Sequence, residues 1–222
     1  MKAETNAKSA IKKVLHIGCG QNNPVHPIFA NAQWQEVRCD NRSNVNADIV
    51  ADMANMNMIG SGEYDAVYSV NTLSRYYAHQ VPKALQEIYR ILNVGGCAVL
   101  LVPDIKKIAK SIAKGQLEQP LYESGLGKIS AIDLLYGLRP VIANDETEAQ
   151  RTAFTEQTLG IKLREAGFLR IQIKKDGFLL FAIAHKLAEG SALQVNIEEE
   201  DLYKMMQARD NLDKEPELSV LL

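Results

Sequence analysis

Gly18-Cys19-Gly20, Asp40 and Asp52 are the residues whose types and spacing could do chemistry together. Two glycines one residue apart let the backbone turn tightly and bring its amides against a ligand. An acid about 20 residues further on can accept both hydroxyls of a ribose. Asp52 and the Met53 backbone could reach an adenine amino group while the Met53 side chain packs on the base. Singly, each feature is as readily an ordinary turn. In register, they describe a nucleoside site.

Such residues meet only if strands carry them to one edge. Val14-Leu15-His16-Ile17 is an apolar run that feeds Gly18, which reads as a first strand over 13–17. Trp34 to Cys39 reads as a second strand ending at Asp40-Asn41, and residues 48–51 as a third ending at Asp52-Met53. Tyr64 to Val70 is a fourth. Val81, Leu85, Ile88 and Leu92 recur at helical spacing, Gly95-Gly96 stops that helix, and Cys97 to Val102 is a fully apolar fifth strand. An unbroken apolar strand after a helix implies a parallel sheet covered on both faces. Lys106, Lys107, Lys110 and Lys114 alternate with isoleucines on a surface helix. Residues 115–150 form a long connection, helical over 129–136, of the kind that serves as a lid or binding loop. Thr155 caps a further helix, and an Asp176-Gly177 turn joins two closing strands, 169–173 and 178–184, as a hairpin.

The expected fold is therefore α/β: a Rossmann-like, seven-stranded, mostly parallel sheet with an antiparallel last strand and helices on both faces. A single domain over 1–186 is expected, with residues 187–222 as an acidic helical tail. Ile197 to Arg209 reads as a tail helix whose Leu202, Met205 and Met206 face docks on the domain or on a second copy, giving a homodimer.

The 222 residues are 46% hydrophobic and 23% charged, with a formal net charge of −2. That balance gives no electrostatic argument for nucleic acid as a partner. No apolar run reaches the roughly 20 residues that span a bilayer, and the N-terminal residues lack a signal-peptide core. The three cysteines, Cys19, Cys39 and Cys97, have no metal-like spacing and read as reduced thiols of a cytoplasmic protein, with no metal site expected.

A nucleoside site of this kind suits either a nicotinamide dinucleotide or S-adenosylmethionine. The dinucleotide needs a third glycine and a helix N-terminus aimed at its pyrophosphate. Here Gly20 is followed by Gln21-Asn22-Asn23-Pro24, which has neither. The chain resembles the class I S-adenosylmethionine-dependent methyltransferases, in particular their type-11-like bacterial branch. The matching segments are Val14 to Gly20, Asp40, Ala47 to Met53, Tyr64 to Ser69, Leu92-Asn93-Val94-Gly95-Gly96, and Val102-Pro103-Asp104. The resemblance covers about residues 13–186. It implies a methyl-donor site built from His16, Gly18, Cys19, Gly20, Asp40, Asn41, Asp52, Met53 and Ser69. His16 stands where the family usually has an acid, and residues 71–77 replace a segment that commonly carries a histidine.

A sulfonium methyl is already activated, so the protein must mainly align the acceptor and exclude water. A base is needed only if the acceptor loses a proton at or before attack. Tyr77 and His79, just past the fourth strand, are the catalytic candidates, with Tyr76 and Arg139 on the substrate. The expected activity is methyl transfer to a small-molecule or saccharide-like acceptor. A non-catalytic module that binds the donor or a partner is the alternative.

Overall fold

The structure, a computed structural model, describes residues 11–188. Nine strands and five helices follow one another: β1 (Lys12–Ile17), β2 (Trp34–Asp40), β3 (Ile49–Val50), β4 (Tyr64–Val70), α1 (Val81–Ile91), β5 (Leu92–Pro103), α2 (Ile105–Ala113), β6 (Pro120–Ser124), β7 (Gly127–Ser130), α3 (Ala131–Tyr136), α4 (Arg139–Ile142), α5 (Glu156–Glu165), β8 (Leu169–Asp176) and β9 (Leu179–His185). Seven strands form one sheet in the order β3-β2-β1-β4-β5-β9-β8. All pairings from β3 to β5 are parallel, and β9 runs antiparallel to both neighbours. This is the Rossmann-like arrangement with a reversed last strand that the hydrophobic pattern implies. The expected tail helix over 197–209 lies outside the described residues.

Helix α1 forms because Val81, Ala84, Leu85, Ile88 and Ile91 fall on one stripe, all buried. That stripe packs with Leu159 and Leu163 of α5 against Leu15, Val67, Leu100 and Leu180 of the sheet. On the opposite face Phe29, in a one-turn 3-10 helix over 27–29, packs with Val14, Tyr68, Val99 and Ile183. Thr155 caps α5, its hydroxyl accepting the Thr158 amide, which satisfies a donor the helix end would leave bare.

Two expectations change. Gly95-Gly96 does not turn the chain from helix to strand. The helix stops at Ile91, and β5 already begins at Leu92. Gly96 lies where a β-carbon would sit 2.8 Å from the Asp65 carbonyl oxygen, so glycine is required by a close backbone approach. Gly95 N–H and Gly96 C=O pair with Lys186 at 2.7 and 2.9 Å, so these residues belong to the sheet. The 115–150 connection is also more structured than expected. Residues 120–130 form a β6–β7 hairpin, which shortens the helix expected over 129–136 to α3.

Candidate functional site

The chain leaves β1 towards β2 and β3 on one side and returns through β4 and β5 on the other. The carboxyl ends of β1 and β4 therefore flank the crevice where open parallel sheets bind ligands. Gly18 and Gly20 have φ of +74° and +56° there. Arg38 of β2 pins the turn, donating from Nη2 to the Cys19 and Gly20 carbonyls at 3.1 and 2.9 Å. Against it lies a cavity of about 200 Å³, walled by Ile17, Gly18, Asp40, Asn41, Asp52 and Met53 from three adjacent strand ends. Tyr76, Tyr77, Gln80 and Arg151 close its outer side.

The contacts a nucleoside would use in this cavity are held by the chain's own groups. Asp40 is 3% exposed, and its carboxylate accepts from Arg42 Nε at 2.9 Å, Arg42 Nη2 at 3.2 Å and the Gly20 amide at 3.0 Å. Burial alone would raise the Asp40 pKa, but the Arg42 and Gly20 hydrogen bonds outweigh it and hold the carboxyl below its usual value. The Met53 amide donates to the Tyr76 hydroxyl at 3.0 Å. Burial first, and then the adjacent Asp52 carboxylate, push the Tyr76 hydroxyl well above the ordinary tyrosine pKa. Thr72 fills the space above Gly18: a β-carbon on Gly18 would lie 2.0 Å from Thr72 Oγ1. Tyr76→Phe is expected to lower stability by about 1 kcal/mol, the value of one hydrogen bond, and to strengthen binding of the donor by freeing the Met53 amide. Urea unfolding and calorimetry check the two halves; weaker donor binding would show that Tyr76 supports the nucleoside.

A second cavity, about 100 Å³, adjoins the first. Gly18 and Arg75 border both. Its roof is the 115–150 connection, here β7, α3, α4 and the segment to Gln150. A chain of ion pairs ties that roof to the first cavity. Arg42 Nη1 reaches Glu148 at 2.8 Å and Asp145 at 3.3 Å, and Glu148 also holds Arg75 at 2.5 Å.

The residues named from the sequence divide between these places. Gly18, Asp40, Asn41, Asp52 and Met53 line the first cavity, together with Tyr76 and Tyr77. His16 lines neither cavity. Its ring is buried, bonded through Nδ1 to Glu36 at 2.8 Å and packed on Tyr68. Cys19 and Ser69 are buried outside both cavities, and Gly20 contributes through its bond to Asp40. His79 is exposed outside both cavities, stacked on Tyr77. Tyr77 is 53% exposed at the rim of the first, with Arg151 over its ring. Arg139 is 56% exposed and pairs with Asp133 at 2.8 Å rather than facing a cavity. The sequence reading missed Arg42, Thr72, Arg75, Glu148 and Gln150. Only Arg42, two residues after Asp40, carried a readable signal; the others meet through the folding of a long connection.

Burial would raise the Asp133 pKa, but Arg139 and Ser130 bring it down to about 2. A carboxylate whose folded pKa lies below the unfolded value of about 3.9 stabilises the fold above that value and loses the effect as pH falls through the lower one. Asp133→Asn should therefore flatten the fall in stability between about pH 5 and pH 2 by about 2 kcal/mol. Urea unfolding followed on Trp34 across that range reads it, and an unchanged slope would remove Asp133 as a source.

Residues 15–100 match the family model described as "Methyltransferase domain". No curated protein matches the chain. Among solved structures, the CurJ carbon methyltransferase superposes with a TM-score of 0.54 at 14% identity, over 83% of this chain and 51% of that one. An O-methyltransferase family protein from Burkholderia thailandensis gives 0.54 at 10%, over 81% and 52%. A SAM-dependent methyltransferase from Methanosarcina mazei gives 0.52 at 14%, over 79% and 92%. The chain spans about half the length of the first two. Among the described residues, no helix is long and apolar enough to cross a membrane, and no group of three or more His, Cys, Asp or Glu could hold a metal ion.

Proposed function

We propose that this chain carries a class I S-adenosylmethionine-dependent methyltransferase domain and transfers the methyl group of that donor to a small-molecule or saccharide-like acceptor. The observation that carries the reading is the first cavity. Its wall is the glycine turn, Asp40-Asn41 and Asp52-Met53, brought side by side from three parallel strand ends. These residues fit the donor. Asp40 and Asn41 would hold the ribose hydroxyls, Asp52 and the Met53 amide the adenine edge, and Ile17 with Met53 the base. S-adenosylmethionine supplies a methyl on a sulfonium, which leaves as a neutral thioether.

The chain's own part is exchange and alignment. Arg42 yields Asp40, and Tyr76 yields the Met53 amide, so each hydrogen bond given up inside the protein is replaced by one to the nucleoside. Arg42 keeps Glu148 and Asp145 when it turns away, which lowers the cost of the exchange. Because the same arginine holds the roof segment, filling the first cavity also resets the roof of the second. The acceptor then sits in the second cavity, across Gly18 and Arg75 from the donor and beneath α3 and α4.

The second reading, a module that binds without turnover, is favoured by one observation: the donor contacts are already satisfied internally. Incubation with S-adenosylmethionine and fractionated metabolite pools, with S-adenosylhomocysteine release as readout, separates the two. Release with any pool supports transfer; donor binding with no release from any pool supports the module; binding of NAD and not of the donor overturns both.

A further inference from the structure

The second cavity differs from the first in what it leaves unpaired. Asn71 Oδ1, Arg75 Nε and Gln150 Oε1 are buried without a hydrogen-bond partner among the described residues, and all three side chains border this cavity. Buried polar atoms are nearly always paired, so three around one small space mark a place where a ligand completes the bonding. Asn71 is 6% exposed and holds a φ of +55°, in the left-handed region that is uncommon outside glycine and that asparagine tolerates better than most residues. Its amide donates to Leu101 O at 2.8 Å, and its carbonyl accepts from Ser74 Oγ at 3.0 Å. Both bonds fix the residue at the end of β4, facing the Gly18 turn. The remaining wall joins apolar Ile129, Leu134, Leu138 and Val141 to the charged residues Arg42, Asp133 and Glu148.

The charges around the cavity are already matched. Glu148 is held by Arg42 and Arg75, and Asp133 by Arg139. A charged ligand would lose its hydration and find no free counter-charge. Nor is a base at hand: both carboxylates are paired, and Tyr77 and His79 do not border this cavity.

We propose that the second cavity takes a compact, uncharged acceptor whose reacting group is a weakly basic amine nitrogen, with its N–H donating to Asn71 Oδ1. Gln150 Oε1 accepts a second donor of the same molecule, and the Arg75 Nε–H donates to an oxygen or ring nitrogen on it. A neutral amine needs no base before attack. Its lone pair forms the nitrogen–carbon bond, the carbon–sulfur bond breaks with its electron pair going to sulfur, and the resulting ammonium gives its proton to solvent. An alcohol would have to shed its proton during attack, with nothing there to take it. This inference rests on the methyl-transfer reading for its chemistry, and on the cavity alone for its selectivity.

The test uses four ring-sized probes, aniline, phenol, benzoate and benzylammonium, titrated by ligand-observed NMR with and without S-adenosylhomocysteine. Aniline should bind at least tenfold more tightly than either charged probe. Asn71→Gly, which relieves the backbone, and Gln150→Leu should each weaken aniline at least tenfold without changing S-adenosylhomocysteine affinity. Benzoate or benzylammonium binding as well as aniline, or aniline binding that survives both substitutions or is absent, overturns the proposal. With S-adenosylmethionine, pooled arylamines should yield methylated product; product from pooled phenols alone, or from neither pool, overturns the amine assignment. Failure of S-adenosylhomocysteine to bind would remove the methyl-transfer reading instead, and the titrations without it still decide the cavity.

Discussion

Gly18→Val should show no calorimetric signal with S-adenosylhomocysteine and should unfold at markedly lower urea than the parent protein. Two costs add at this position. Its φ of +74° is one that a β-branched residue adopts only under strain, and its new β-carbon would lie 2.0 Å from Thr72 Oγ1 and 3.1 Å from Thr72 Cβ. Left-handed strain and overpacking are each worth about 1–3 kcal/mol, so a loss of about 2–6 kcal/mol is expected. Thr72 cannot retreat without moving the turn after β4, which borders both cavities. Thr72→Gly in the Gly18→Ala background clears the contact. It should recover part of the stability while donor binding stays weak, because the added methyl still narrows the cavity. Full recovery of donor binding in that double variant would show that the glycine turn serves packing alone.

Asp40→Ala should cost about 3 kcal/mol of stability, the lower end of what removal of one partner from a buried ion pair costs, because Arg42 retains Glu148 and Asp145. The Gly20 amide also loses its acceptor. Donor affinity should fall by about 1.5–3 kcal/mol, the range for a hydrogen bond to a charged group. Arg42→Ala is the informative counterpart. It leaves Asp40 free for the ribose, so donor affinity should rise by about tenfold, or roughly 1.4 kcal/mol, even though stability falls. Affinity that falls in both variants would mean that Arg42 helps to hold the donor rather than competing with it. The double variant Asp40→Ala/Arg42→Ala should be less stable than Asp40→Ala alone, since Glu148 and Asp145 then lose their ion pairs to Arg42 as well.

The sheet was legible because its signal is local. Tyr64 to Val70 is a mostly apolar and mostly buried run, the 97–102 run is apolar throughout, and the α1 stripe repeats at helical spacing. Glycine doublets were less readable. Gly95-Gly96 resembles a helix stop but serves a close strand approach, which depends on the Asp65 carbonyl about 30 residues away in the chain. Asp40 and Asp52 could be picked out because strand ends carry them to one edge whatever else the fold does. Glu148 and Arg75 could not, since their meeting depends on how residues 115–150 fold back over β4. His16 and His79 show the converse. Each is a chemically capable residue near a motif, yet one is turned to Glu36 inside the sheet and the other faces outward.

The central claim is that the strand-end cavity accepts the methyl donor once Arg42 and Tyr76 let go of its contacts. Calorimetric titration of the unmodified protein with S-adenosylhomocysteine tests it most directly. Saturable binding at one site per chain is expected; no binding, or binding of NAD in its place, would contradict it.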